Sequence, residues 1–436
     1  MATHLTDGNT RLTLWRRVRE FAVPPAMIET ATARRETGDW AGACAAAGFD
    51  IDLDLRTLAR DRGRDVRDRI RADLRRLAPD LLRWHLPRIA PDGLLRPGLT
   101  MPLARYDTGR RPLHLVVRTP PAWADAGQRV SLAVWDGRLG VPAARGHPHP
   151  RPSRRYRFDL HRHLWDAGVA GELRTRAGAD RLTLCAAHRW PDEARVVLRA
   201  EGQDSGTVAV RPGGRRWLAL HLAPDGTVTT GPGTGGGAVA VLPDAATRLL
   251  PDLELLRAGL IDAGRLHPLV ATALVPGQVP AVRTPEREPG GQPRLVECRG
   301  VRHRIGLVDG VLSALDHSPD ELRREELLVA LGGPPLPCLR AIDEAHRRPD
   351  CLTGVRDRLD HGDIAGALAV VEGLLGPEAA LRDGPLKEAL ESAARRRIAY
   401  GLYRAGLTGS RPAPVRTRRH RSPHDPRLGP RPAAWR

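Results

Sequence analysis

An α+β fold is predicted by three features of this 436-residue chain. Apolar residues recur at helical spacing over Leu12 to about Arg88 and again after Ser318. Between them lies a series of short β-type runs separated by Gly, Pro and Asp. After Thr408 nearly all apolar residues give way to Pro, Arg, Ser and His. The expected order is a helical N-terminal region (1–98), a β-rich antiparallel middle (99–245), and a helical connector with a Pro/Gly-rich linker (246–294). A mainly helical C-terminal domain (295–407) and a disordered Arg-rich tail (408–436) complete it.

The first helix carries Leu14, Val18 and Phe21 on one face and stops before Pro24 and Pro25, with a second helix following from Ala26. Val66, Ile70, Leu74 and Leu77 keep the same period. Asp65 with Arg69, and Arg69 with Asp73, put opposite charges four apart on the other side, so this segment reads as a surface helix ending near Pro79. The β-type runs are Leu113–Arg118, Val130–Trp135, Tyr156–Leu160, Leu182–Ala186, Val196–Ala200, Trp217–Leu222 and Ala238–Leu242. Their spacing predicts an antiparallel sheet or sandwich. Leu249 to Leu274 fits one or two helices, and Pro276 to Pro293 a linker. A strand pair around Leu295–Leu307 precedes Ser318-Pro319-Asp320-Glu321, where an N-cap serine, a first-turn proline and a glutamate at the third helical position mark a helix start. The tail from Thr408 cannot bury enough surface to offset its ordering entropy.

Composition narrows the function classes. The formal charge of +18 invites a nucleic-acid partner, because cations that neutralise phosphates release counterions. Yet Lys387 is the only lysine, and the abundance of Ala, Gly, Pro and Arg is what codon usage in a GC-rich bacterial genome produces. Eight arginines against Asp425 place seven of the eighteen excess charges after Gly409. Five cysteines without framework spacing, no signal-peptide pattern and no run near the ~20 apolar residues of a membrane span predict a reduced, cytoplasmic protein that is not membrane-inserted.

One stretch repeats. Gly38-Asp39-Trp40-Ala41-Gly42-Ala43-Cys44-Ala45 matches Gly362-Asp363-Ile364-Ala365-Gly366-Ala367-Leu368-Ala369 at six of eight positions. The glycine ends one helix where a positive φ is cheap, the aspartate caps the next, and small residues let the pair pack closely, so each copy predicts an αα-hairpin. The second copy resembles the helix–turn–helix unit of tetratricopeptide repeats. That resemblance implies a surface for protein partners, since such units stack in tandem into peptide-binding grooves; it covers about 25 residues at each end of the chain against a usual repeat of ~34.

Catalytic signatures are absent from the sequence. Gly231, Gly233 and Gly236 satisfy G-x-G-x-x-G, but Pro232 stiffens the loop and the next run reads as a strand where a dinucleotide site needs a helix, so no organic cofactor is predicted. The position of Lys387, after Leu386, excludes a phosphate loop. Asp52-Leu53-Asp54 is too short to define a site. His147, His149, His161 and His163, with Asp159 and Asp166 nearby, form the candidate set for a divalent metal, since residues two apart on a strand share a face. The surrounding Arg151, Arg154, Arg155 and Arg157, together with Arg416, Arg418, Arg419 and Arg421 of the tail, form the candidate nucleic-acid surface, with Tyr156, Phe158 and Trp165 available for stacking. Cys298, His303, His317, Cys338, His346 and Cys351 lack compact zinc spacing, and Cys338, between Leu336 and Leu339, reads as a core residue. The expected function is a non-enzymatic interaction or scaffold protein with a protein partner. The alternatives are a nucleic-acid-associated protein and a metal-dependent hydrolase with Asp159 as base.

Overall fold

The computed structural model describes residues 2–109, 111–125, 128–137, 147–180, 186–213, 216–234, 239–277 and 293–407. The tail arginines, Cys185 and most of the 276–293 linker lie outside them. The fold is α+β, as expected. Helices α1 (Ala2–Phe21), α2 (Pro25–Glu36) and α3 (Trp40–Ala46) lead into strand β1 (Phe49–Asp52), followed by α4 (Leu55–Arg62), α5 (Arg64–Arg76) and α6 (Pro79–His85). A two-stranded ribbon, β2 (Arg88–Ile89) and β3 (Leu94–Leu95), precedes β4 (Thr100–Tyr106), β5 (Leu113–Arg118) and β6 (Val130–Trp135).

The first sheet has the order β1-β6-β5-β4, with β1 parallel to β6 and the other pairs antiparallel. Its edge strand therefore comes from the region that reads as helical. The four-residue run Phe49–Asp52 offers only Phe49 and Ile51 as apolar residues, too little to announce a strand. One buried cluster runs from Leu14 through Leu274 and joins α1, α5, α6, β4–β6 and the connector helices. Arg83 sits inside it, 2% exposed, and donates to the carbonyls of Ala22 (3.0 Å), Gln128 (2.5 Å) and His361 (3.0 Å). Burial pulls this guanidinium down to about 10, and the three carbonyls serve it where no carboxylate does among the described residues.

Two expected strands are something else. Tyr156–Leu160 closes in a 3-10 turn (Phe158–Leu160), and Val196–Ala200 is the last part of helix α8 (Trp190–Ala200), which follows α7 (Leu173–Ala177). The β-branched pair Val196-Val197 suggested a strand, but Trp190, Ala194, Val197 and Leu198 are buried at helical spacing, and Pro191, Asp192 and Glu193 give the helix a favourable first turn. The run Leu182–Ala186 lies almost wholly outside the described residues.

Helix α8 packs on a second sheet, of order β10-β7-β8-β9, built from β7 (Gly206–Gly213), β8 (Arg216–Leu222), β9 (Val228–Pro232) and β10 (Ala240–Val241). The middle is thus two separate sheets rather than one sandwich. Gly231 and Pro232 end β9 and the next described element is strand β10, while Gly236 lies outside the described residues. Helices α9 (Asp244–Thr247), α10 (Pro251–Arg257) and α11 (Pro268–Leu274) form the connector.

The last part of the chain is a three-stranded meander, β11 (Arg294–Cys298), β12 (Val301–Val308) and β13 (Val311–Ala314), then α12 (Pro319–Ala330), α13 (Pro337–Arg347), α14 (Leu352–His361), α15 (Ile364–Leu375) and α16 (Pro385–Arg404). Both sequence-repeat copies are αα-hairpins, α2/α3 and α14/α15. Gly38 (φ 81°) and Gly362 (φ 89°) adopt positive φ. Asp39 and Asp363 accept from Gly42 N (2.8 Å) and Gly366 N (2.9 Å). A Cβ on either of these later glycines would fall within 2.2 Å of the capping carboxylate, which explains the second shared glycine. None of the described helices is long and apolar enough to cross a membrane.

Candidate metal centre

Two tight turns shape the meander. Arg299 (φ 55°) and Gly300 (φ 80°) connect β11 to β12, and Asp309 (φ 51°) and Gly310 (φ 76°) connect β12 to β13. Both central residues of each turn have positive φ, the geometry whose twist matches a two-residue hairpin. The register that results pairs Cys298 with Val301 and Val296 with His303. Cys298 and His303 are therefore diagonal neighbours on one face, within reach across the ladder.

The other two groups come from helix starts. His317 precedes Ser318, whose hydroxyl caps α12 by accepting from Glu321 N at 3.2 Å. Cys338 follows Pro337 in the first turn of α13. Capping and turn chemistry, both local, bring two strand residues and two helix-start residues to one point.

One ligand atom from each of Cys298, His303, His317 and Cys338 lies within 4.8 Å of the other three, and no further set of three or more such groups does so among the described residues. A tetrahedral zinc ion with sulfur at about 2.3 Å and nitrogen at about 2.0 Å separates its ligand atoms by roughly 3.3–3.8 Å. Small side-chain adjustments convert one arrangement into the other. His303 Nδ1 and His317 Nε2 face each other at 2.7 Å, with ring centroids 4.3 Å apart. Behind them, a Glu321 oxygen lies 3.3 Å from His317 Nδ1, an ion-pair separation without in-line hydrogen-bond alignment. With that carboxylate on the Nδ1 side, Nε2 is the His317 nitrogen turned to the cluster.

Cys298 and Cys338 are free thiols with no solvent exposure. Burial pushes the Cys338 thiol up to about 11, and the neighbouring Cys298 adds to the shift. The Cys338 thiol therefore resists ionisation unless a cation replaces its proton. The surrounding core is small: Ile305, Ala314, Leu336 and Ile342 are its buried apolar members beside the cysteines. A metal cross-link contributes most where so little apolar surface is available.

The histidine set singled out in the sequence does not converge. His147 Nε2 sits 3.0 Å from the Thr119 carbonyl, and His149 N donates to His147 Nδ1 at 3.2 Å. His161 lies between two 3-10 turns and His163 within the second, rather than on one strand, with ring centroids 5.7 Å apart. His161 Nδ1 lies 2.9 Å from the Arg157 carbonyl and its Nε2 3.2 Å from Glu193, which Arg176 also holds at 2.8 Å. That partnership with His161 and Arg176 draws the Glu193 carboxyl down to about 2, against the opposing pull of burial. His163 stays neutral because burial lowers it well below its ordinary range.

Arg155 is paired bidentately with Asp244 (2.6 and 2.7 Å) and Arg157 with Asp159 (2.8 Å) and Glu201 (2.9 Å), while Arg151 and Arg154 remain exposed. Tyr156, Phe158 and Trp165 are all buried and unable to stack on bases. Of the residues set aside as structural, His346 and Cys351 stay outside the cluster, whereas Cys298, His303, His317 and Cys338 form it. The Cys338 reading as an apolar core residue is correct about burial and incomplete about chemistry. Asp309-Gly310 was the signal in the sequence that predicts β13 and, through it, the position of His317. Comparison with protein-family profiles, characterised proteins and solved structures finds no match to the chain.

Proposed function

We propose that this chain is a non-catalytic interaction protein whose C-terminal portion is held together by a structural zinc ion bound to Cys298, His303, His317 and Cys338. The carrying observation is the fourfold donor set itself. Two sulfurs and two imidazoles fill a tetrahedron and leave no position for water or substrate, which is the arrangement of structural rather than catalytic zinc. The metal-dependent hydrolase alternative, built on His147, His149, His161 and His163 with Asp159 as base, loses support because those histidines do not converge and Asp159 is held by Arg157. The nucleic-acid alternative loses weight as well, because Arg155 and Arg157 are neutralised locally and the adjacent aromatics are buried.

An interaction role gains support from the surface of the same segment. Of the sixteen large apolar side chains exposed among the described residues, nine fall between Leu295 and Leu331, including Val301 (59%), Leu327 (61%) and Leu331 (85%). Such a concentration is unusual where a chain meets only water.

Metal analysis of the full chain should give one zinc per molecule, lost in Cys298→Ser and Cys338→Ser. After cobalt substitution, the visible spectrum should indicate tetrahedral coordination and stay unchanged when azide is added. Absence of metal, or a spectrum that responds to azide, defeats the structural-zinc reading. The surface residues should accept Leu327→Asp with Leu331→Asp at a cost below about 1 kcal/mol, since they pack little; a cost above about 2 kcal/mol would place them in a core instead.

A further inference from the structure

A cavity of about 490 Å³ opens between α1, the segment from α6 to β3, residues 155–161 and residues 243–251. Eight of its lining residues are arginine and one, Asp244, is a carboxylate. Part of this charge is balanced: Arg11 pairs with Glu254, Arg19 with Asp252, Arg155 with Asp244, and Arg157 with Asp159 and Glu201. Arg88, Arg96 and Arg248 have no carboxylate partner among the described residues.

Arg88 is the most telling of the three. It is 8% exposed and donates through Nη2 to the Arg83 carbonyl (2.7 Å) and through Nη1 to the Gly93 carbonyl (3.4 Å), leaving Nε without a partner. Burial, with Arg83 and Arg19 nearby, pushes its guanidinium well below the ordinary arginine range. Arg96 Nε is likewise buried and unpartnered. Arg248 is lowered by burial, and the carboxylate closest in effect, Asp244, is already held by Arg155. His85 adds an unpartnered Nε2 on a ring kept neutral, at about 3, mainly by burial. Unpaired buried cations are costly, and guanidinium groups are suited to the geometry of phosphate oxygens.

We infer that this cavity is a binding site for a small organic di- or triphosphate, with its phosphates on Arg88, Arg96 and Arg248. Its volume lies within the range of small-molecule sites, roughly 300–1,000 Å³. Trp15 and Tyr156 line the same space and supply apolar surface for the organic portion. The site is independent of the metal centre. Its lining comes from residues 11 to 251, and the zinc ligands begin at Cys298.

Calorimetry with the full chain at constant ionic strength distinguishes the outcomes, with pyrophosphate, ADP, adenosine and a twelve-nucleotide single strand as probes. Pyrophosphate and ADP should bind saturably at one site per chain, ADP more tightly, and adenosine should not. Arg96→Gln and Arg248→Gln should each weaken ADP binding by roughly tenfold or more, the loss of a charge-assisted pair, while leaving the unliganded circular dichroism spectrum unchanged. Arg248→Lys serves as the conservative variant, keeping the charge and losing the bidentate geometry, with an intermediate affinity expected. Failure of both pyrophosphate and ADP to bind the wild-type chain overturns the assignment. So does an affinity unaltered by the substitutions, or binding confined to the oligonucleotide.

Discussion

Replacing Cys338 with serine separates what zinc contributes from what packing contributes. The side chain sits in the first turn of α13 with no solvent exposure, and serine puts a hydroxyl of similar size in its place. In the presence of a strong chelator only the packing difference remains. Burying a hydroxyl with imperfect partners where a thiol had been costs about 1–2 kcal/mol. With free zinc at a thousandfold excess over its dissociation constant, wild-type protein gains a further ~4 kcal/mol from binding that the unfolded chain lacks. A variant with three donors forfeits most of it. The gap between the two proteins should therefore widen from about 1–2 kcal/mol in chelator to about 5 kcal/mol with zinc. No tryptophan lies between residues 293 and 407, so intrinsic fluorescence is a poor reporter of this segment. Amide exchange in β11–β13 and α13 reads it directly. A gap of equal size with and without chelator would show that Cys338 acts through packing alone and would refute the metal argument.

Asp363→Ala should cost about 1 kcal/mol in urea unfolding through loss of the α15 cap, and Asp39→Ala a similar amount at α3. His161→Ala combined with His163→Ala should leave the zinc content of the purified chain at one, because neither residue belongs to the donor cluster. Arg83→Met should destabilise by about 3 kcal/mol in the same urea assay: three buried carbonyls lose their donor at about 1–3 kcal/mol each, partly offset by removal of a buried charge. The pH dependence of stability should fall on the acid side. His85 and His361 are each held near 3 by burial, so the folded state resists their protonation. Stability is complete above the unfolded value near 6.5 and declines as pH drops from there toward 3, with a limiting slope of about 1.4 kcal/mol per pH unit for each ring. Asp125, raised to about 6 chiefly by burial, acts in the opposite sense below that pH. Urea titrations from pH 7 to 5 should show His361→Gln with a shallower decline than wild type; parallel curves would refute the assignment.

Much of the architecture was legible because its causes are local. Ser318 caps its helix as its neighbours require, the two Gly-Asp turns close their hairpins, and Val130–Trp135 forms a strand from its own β-branched and aromatic content. The failures have equally definite causes. Val196–Ala200 was misjudged because a β-branched pair outweighed the wider helical period from Trp190. The strand Phe49–Asp52 depends on β6, some eighty residues later in the chain, to provide its partner.

The amino-acid sequence by itself determined the α+β class, the helix starts, the hairpin repeats and the lack of a recognisable catalytic signature, since each rests on propensity, capping or spacing within a dozen residues. Only the tertiary structure decided which side chains meet. Cys298, His303, His317 and Cys338 are spread over forty-one residues, and their donors converge only because two positive-φ turns set the register and two helix starts are carried back over the sheet. Arg88, Arg96 and Arg248 look like any other arginines in a chain rich in them. It takes the folded surroundings to leave those three without carboxylate partners among the described residues while supplying carboxylates to their neighbours, because charge compensation depends on distance in space and not on separation along the chain.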